Sequence, residues 1–450
     1  MKIVVVGGGP GGYVAAIRAA SLGACVTLVE RDTLGGTCLN RGCIPTKALL
    51  HTGELYTNAM NGHKAGVIAK VELDFAKAQE KKNATVSQLV AGINGLMKGN
   101  KIKVIKGTAS FTDKDTLVVD GEGLAFDKII LATGSRPVMP PIPGIEHPQC
   151  LTSDEALELE EVPKSMAIIG GGVIGIEMAT IYGALGCEIT ILEMMDEILP
   201  FMDRELVKIL RNKLESQGIK IITNGKVVSI EDKGRVASLN LSNQEKVEVE
   251  KVLVSVGREV DTEALNLRAS GIAHEKGKIL VDNKQQTNLP NIYGIGDCTG
   301  GVMLAHVASI QGEIAAENAM GHDARYDEKT NPSCVYTNPE FAGVGLTEEQ
   351  VKERNIDYIV GRFPLFANGK SLIMGSTEGM VKIIAGKKYG ELLGIHILGP
   401  KATELIAQGA LAIGVEATLD EMIETIYPHP TVSESIREAA MAAYGRGIHI

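Results

Sequence analysis

The feature that most constrains this chain is a glycine-rich turn that occurs twice. Near the start, the apolar run Ile3-Val4-Val5-Val6 enters Gly7-Gly8-Gly9-Pro10-Gly11-Gly12. A helical pattern from Tyr13 to Leu22 follows, then a second apolar run, Val26 to Val29, that ends in Glu30. The same grammar returns about 160 residues later, which marks an internal duplication. There Ala167-Ile168-Ile169 leads into Gly170-Gly171-Gly172-Val173-Ile174-Gly175, a helix expected over 176–185, and a strand Ile189 to Leu192 ending in Glu193. In a strand, G-x-G-x-x-G, helix unit the first glycine (Gly7, Gly170) permits the tight turn. The second (Gly9, Gly172) lets a pyrophosphate approach the backbone, and the third (Gly12, Gly175) lets the helix pack on the strand. Glu30 and Glu193 stand at the end of the next strand, where a carboxylate accepts hydrogen bonds from a ribose diol. An unliganded glycine-rich turn needs no such acid. The duplication predicts an α/β fold with two Rossmann-like domains and two bound dinucleotides.

At the second site the stretch Met194-Met195-Asp196-Glu197-Ile198-Leu199 holds no Lys or Arg. A 2′-phosphate needs a cation there, so a free 2′-hydroxyl, and hence NAD rather than NADP, is expected. Glu177 lies in the first turns of the second helix. It has two readings, an acid offsetting the helix dipole or a partner for a buried lysine.

The 450 residues suggest about three domains. Pro137, Pro140, Pro141 and Pro143 crowd a segment that looks like a linker. It follows a long helical stretch, 75–97, and a closing strand, Lys128 to Leu131. Beyond Pro332 strand candidates (Met380 to Ile384, Leu392 to Ile397) alternate with helices (403–413, 432–443), as in an α+β domain. Expected boundaries are 1–141, 142–262, a central segment 263–328, and 329–450. Aromatic residues are 4%, Trp is absent and net charge is −10, which argues against a base-stacking or polyanion-binding surface. No nucleic-acid partner is expected. No apolar run is long enough to span a bilayer, and the N-terminal apolar stretch is too short for a signal segment. A cytoplasmic protein is expected. Seven scattered Cys do not form a secreted disulfide framework.

One cysteine pair stands apart, in Gly35-Gly36-Thr37-Cys38-Leu39-Asn40-Arg41-Gly42-Cys43-Ile44-Pro45-Thr46-Lys47. Pro45 suits the first turn of a helix, which puts Cys43 at a helix N-terminus, where the dipole favours a thiolate. Lys47, four residues on, shares that helix face. A zinc site and a pair of inert buried cysteines are the alternatives, but no nearby Cys pair or His completes a zinc site. No metal is expected. Cys25, Cys150, Cys187, Cys298 and Cys334 read as small buried residues. Near the C-terminus, Tyr427-Pro428-His429-Pro430-Thr431-Val432-Ser433-Glu434 has two readings. Thr431 and Glu434 have the spacing of a capping box, and the prolines stiffen a loop carrying His429.

These segments together resemble the flavin-linked pyridine-nucleotide disulfide oxidoreductases, in order and along the whole chain. Ala132-Thr133-Gly134 and Val256-Gly257-Arg258 resemble that family's segments joining the nucleotide domains. Gly296-Asp297 resembles its loop at the flavin's ribityl chain, and Met303-Leu304-Ala305-His306 its helix start beside the flavin ring. The resemblance implies FAD at the first site, held by Gly7, Gly9, Gly12, Glu30, Arg31, Gly36, Thr37, Lys47, Gly107, Thr133, Gly134, Asp297, Met303, Leu304, Ala305 and His306. It implies NAD at the second, held by Gly170, Gly172, Ile174, Gly175, Glu177, Glu193 and Gly257, with residues 263–328 completing the FAD site. It makes Cys38 and Cys43 a redox disulfide, Cys38 facing substrate and Cys43 facing the flavin, and pairs Lys47 with Glu177. It makes His429 the acid/base, oriented by Glu434 and contributed by the other subunit of a homodimer whose interface is 329–450. NAD preference and the lack of a C-terminal Cys pair point to the branch that oxidises a protein-bound lipoyl dithiol. The lipoyl group would arrive on a partner of a 2-oxo acid, glycine-cleavage or acetoin complex, since a sequence that opens at the first nucleotide strand is expected to lack an N-terminal lipoyl domain of its own. Glutathione- or mercuric-reductase-like activity is the alternative, and a structural docking subunit the non-enzymatic one. Arg41, between the two cysteines, is a variable point to which the sequence assigns no direction of effect.

Overall fold

In the computed structural model, which describes residues 1–450, the first unit is built on a parallel sheet. Its strand order is Ile292–Gly294, Lys128–Leu131, Lys2–Val6, Cys25–Glu30, Lys103–Lys106. Ile3, Val5, Ile129, Ile130 and Leu131 are wholly buried. A parallel sheet covered on both faces reads as continuous apolar runs rather than alternation, which is why these strands were legible. The first helix, Pro10–Ser21, begins three residues before the expected Tyr13. Proline there needs no N–H partner and has a helical φ already set. This helix packs on Ala305–Ala319. The approach is close because both sides are small: a Cβ on Gly312 would overlap the carbonyl of Gly11. The chain leaves the first unit after residue 131 and is back in it by Leu265, which with Leu267, Ile272 and Ile279 packs against Val4, Val6 and Ile129, before strand Ile292–Gly294 joins the sheet.

The second unit repeats the plan with the order Lys220–Ile222, Glu188–Leu192, Ser165–Ile169, Lys251–Val254, Cys150–Leu151, all parallel. The proline-rich linker begins as a strand. Ser135–Pro137 pairs antiparallel with Arg258–Val260, so the outward and return crossings form one ribbon. The third region is a five-stranded antiparallel sheet, Ser333–Val335, Glu340–Gly345, Leu392–Gly399, Met380–Gly386, Tyr358–Pro364. Helix Ala402–Gly414 packs on it, as does Glu434–Ala443. The last helix starts at Glu434, not 432, so only half of the capping box forms. Glu434 Oε2 accepts from the Thr431 N–H at 2.8 Å, while the Thr431 hydroxyl donates to the Pro428 carbonyl. No helix is long and apolar enough to cross a membrane.

The units are locked together by apolar and ionic contacts. The largest core cluster joins Leu49 and Phe75 of the first unit to Met166 and Tyr182 of the second and Val335, Phe341 and Leu398 of the third. Beside it Lys382, 1% exposed, meets Asp203, Glu205 and Glu348 at 2.8, 2.9 and 2.8 Å. Burial disfavours its charge, but the three carboxylates outweigh that and hold it above its ordinary pKa. Asp203 also caps helix Arg204–Ser216. Lys382→Met would leave a wholly buried carboxylate uncompensated, and such losses cost about 3–5 kcal/mol. The expected result is a large drop in the denaturant midpoint at unchanged slope; an unaltered midpoint refutes the locking role.

Candidate active site

A cleft of about 1720 Å³ runs between the two dinucleotide-type turns. Every residue assigned above to either dinucleotide lines it, except Gly12 and Gly175. Those two lie beneath the turns, where a Cβ would overlap the carbonyls of Gly7 and Gly170. Gly9 and Gly172 differ. A Cβ on Gly9 would meet no protein atom closer than 3.9 Å, and one on Gly172 nothing within 4 Å, so both face open space in the cleft. Gly7 and Gly170 turn with φ of +103° and +110°, a conformation that favours glycine.

The two acids behave alike. Glu30 accepts from the N–H groups of Gly8 at 2.6 Å and Asp32 at 2.8 Å. Glu193 accepts from Gly171 at 2.7 Å and Met195 at 2.8 Å. Each carboxylate ties its strand end to its glycine turn and keeps lone pairs free for a diol. Arg31, beside Glu30, is ion-paired with Asp261. Lys226 lines the cleft near Glu193, a cation that the local stretch 194–199 did not disclose.

Three motifs that are far apart in sequence converge on one hydrogen-bonded chain. Arg258 donates through Nε to the Ser135 hydroxyl at 2.7 Å, and that hydroxyl donates to Asp297 at 2.5 Å. Ser135 was missed, although it directly follows Thr133-Gly134. The Thr133 hydroxyl is buried, lines the cleft and has no protein partner. His306 Nε2 lies 3.0 Å from the Pro332 carbonyl, and burial lowers its pKa.

Cys43 is the first residue of helix Cys43–Asn61 and Cys38 lies in the preceding helix, Gly36–Arg41. Both are free thiols, hydrogen-bonded to one another and facing the cleft. Cys43 is held below its ordinary pKa, chiefly by the hydrogen bond with Cys38; burial opposes this and the Lys47 ammonium assists. Cys38 is correspondingly pushed up, by that same hydrogen bond and by burial. Lys47 Nζ contacts both oxygens of Glu177 at 2.8 and 2.9 Å. Glu177 is only 6% exposed, so the pair is a real partner for a buried acid rather than a compensation of the helix dipole alone. Arg41 pairs with Asp32 at the cleft wall.

His429 and Glu434 lie elsewhere. His429 Nδ1 is 3.0 Å from Glu434, but the imidazole is 80% exposed and is not part of the cleft wall. The Thr431 N–H and the imidazole outweigh burial and hold Glu434 below its ordinary pKa. One oxygen of Glu434 accepts from the Thr431 amide and the other lies against the imidazole. The remaining cysteines are not uniformly buried: Cys25 is exposed and Cys334 lines the cleft.

Residues 1–312 match the family profile described as pyridine nucleotide-disulphide oxidoreductase, and residues 331–440 match the dimerisation domain of the same family. The chain belongs to this family of oxidoreductases. It is 43% identical to a dihydrolipoyl dehydrogenase of Thermus scotoductus, covering 100% of this chain and 98% of that one. It is 44% identical to a dihydrolipoyl dehydrogenase of Bacillus subtilis, covering 99% and 98%. Among solved structures it resembles LpdA of Mycobacterium tuberculosis (TM-score 0.92, 27% identity, 98% and 99% covered). It also resembles the HOCl-induced flavoprotein disulfide reductase RclA of Escherichia coli (TM-score 0.89, 30% identity, 98% and 99% covered). The family's cofactors are FAD and NAD. Gly9 and Gly172 facing open space and the unpartnered Thr133 hydroxyl fit two such groups in the cleft.

Because the Cys38 hydrogen bond is the largest influence lowering the Cys43 pKa, Cys38→Ala should shift Cys43 ionisation to higher pH. Thiolate absorbance followed against pH in the reduced protein checks this, and an unmoved or lowered midpoint contradicts it.

Proposed function

We propose that this protein oxidises protein-bound dihydrolipoamide to lipoamide with reduction of NAD+, through Cys38 and Cys43. The observation that carries the reading is the juxtaposition of a hydrogen-bonded thiol pair with the Lys47–Glu177 pair in a cleft flanked by two dinucleotide turns. Near-full-length identity to dihydrolipoyl dehydrogenases supports the choice of substrate.

In this reading His429 takes a proton from one substrate thiol, with Glu434 accepting from Nδ1 and leaving Nε2 as the base. The substrate thiolate attacks Cys38 Sγ, the Cys38–Cys43 bond breaks, and Cys43 leaves as a thiolate. A leaving thiolate of lowered pKa departs faster, which suits Cys43 with its Lys47 neighbour. The second substrate thiol then attacks the substrate sulfur of the mixed disulfide, closing the lipoamide S–S bond; Cys38 leaves and takes up the proton which that thiol gives up. Bound FAD supplies the two-electron carrier that links the thiol pair to NAD+. The residues assigned to the first site would hold FAD, and those assigned to the second, with Glu193 for the ribose, would hold NAD.

The working unit in this proposal is a homodimer with its interface in 329–450, domain limits as given from the sequence, and His429 serving the cleft of the second copy. Its partner is a lipoyl-bearing protein of a multienzyme complex, and its setting the cytoplasm, where thiols stay reduced.

Cys43→Ser should abolish dihydrolipoamide:NAD+ activity while FAD stays bound, as read by steady-state rates and flavin absorbance; retained activity refutes the assignment. Mixed dimers of Cys38→Ala and His429→Ala chains should recover part of the activity that each homodimer lacks. No recovery in verified mixed dimers rules out sharing across the interface.

A further inference from the structure

The Lys47–Glu177 pair has a third participant, which belongs to none of the motifs above. Tyr336 follows the strand Ser333–Val335 of the third domain. Its backbone N–H donates to Glu177 Oε1 at 3.0 Å, and the Lys47 ammonium sits 4.2 Å from the centre of its ring. Both contacts use the amide and the ring face, not the hydroxyl. Burial holds that hydroxyl neutral, with its pKa pushed up to about 12. The ammonium is thus confined on two sides, by the Glu177 carboxylate and by the Tyr336 ring. A lysine on a four-carbon stem has many rotamers, and the ring removes those that would swing the charge toward the third domain.

We propose that Tyr336 is a positioning residue: its ring fixes the Lys47 ammonium beside Glu177, so that a residue of the third domain sets the charge that Cys43 faces in the first. The charged and titratable groups around Cys43 are Cys38, Lys47 and Glu177, and those around Lys47 are Glu177, Cys43, Cys334 and Tyr336. Among them Tyr336 is the one whose side chain can be changed without removing a charge or a sulfur. Substitution also leaves its N–H bond to Glu177 in place, so the ring contribution is separable.

This inference rests on the proposed function only for its significance, since the test reads thiol reactivity and not turnover. The holoenzyme is reduced with dithiothreitol, and the rate of Cys43 alkylation by iodoacetamide is followed by mass spectrometry across pH in the natural protein, Tyr336→Phe and Tyr336→Leu. An ammonium–aromatic contact is worth about 0.5–1 kcal/mol at partly exposed sites, so Tyr336→Leu should slow Cys43 alkylation near neutral pH by roughly threefold. Tyr336→Phe should follow the natural profile. In a Lys47→Met background, Tyr336→Leu should add nothing further. A Leu profile identical to the natural one overturns the proposal, as does an equal change in Phe and Leu, or a full effect without Lys47. If Tyr336→Leu does not fold, Tyr336→Met provides the same loss of the ring face. Retained turnover in Cys43→Ser would refute the proposed function and leave this result standing.

Discussion

A carboxylate buried where separate parts of a chain meet must find its counter-charge in segments that reach it only after folding. Glu177 is that group here. It belongs to the helix after the second glycine turn, it is paired with Lys47 from the helix that begins at Cys43, and it accepts an N–H from Tyr336 in the third domain. Removing one partner of such a pair leaves an uncompensated charge, which is far costlier than the pair is stabilising. The three regions are therefore held to one relative arrangement at this point. Since Lys47 and Cys43 lie four residues apart on one helix, the fixed ammonium stands on the same helix face as the sulfur. The position of that positive charge near the thiols is in this sense a consequence of neutralising Glu177.

What the sequence discloses follows from how local its causes are. The two glycine turns are legible because a strand, a tight turn and a close helix approach each demand a specific residue within a few positions, as the blocked Cβ directions at Gly12 and Gly175 show. The buried parallel strands are legible because both faces are covered. The strands Ser333–Val335, Glu340–Gly345 and Tyr358–Pro364 were not picked out: they are short or interrupted by Gly343 and Gly361. Gly361 has its own cause, since a Cβ there would overlap the carbonyl of Ala439 in the last helix. Tyr336 gave no signal either, for its partners are more than 150 residues away. The Ser135–Asp297 link has the same character: each segment could be read alone, but not the bond between them.

The split between Cys38 and Cys43 also becomes clearer when proximity is separated from environment. Spacing alone makes two equivalent thiols. Their surroundings make them unequal, because one thiol donates to the other and the lysine faces the acceptor. A proton shared unequally between two sulfurs is what a thiol pair needs if one is to leave as an anion while the other is attacked. The inequality comes first from the hydrogen bond between the two sulfurs, with Lys47 adding to it, and the sequence carries all three residues. Its anchoring by Glu177 and Tyr336 is tertiary.

His429 poses the opposite case, an oriented imidazole with nothing in its own cleft to act on. An exposed side chain loses conformational freedom when it is held, so a carboxylate on Nδ1 and prolines on both sides imply a use for a fixed Nε2. The domain that carries it is not solvated by polar side chains alone. Ile426 is almost fully exposed three residues before it, and Phe366, Leu372 and Ile373 stand exposed in the same region. That region, 331–440, matches the family's dimerisation domain. Apolar side chains left uncovered on such a domain need a second surface to cover them.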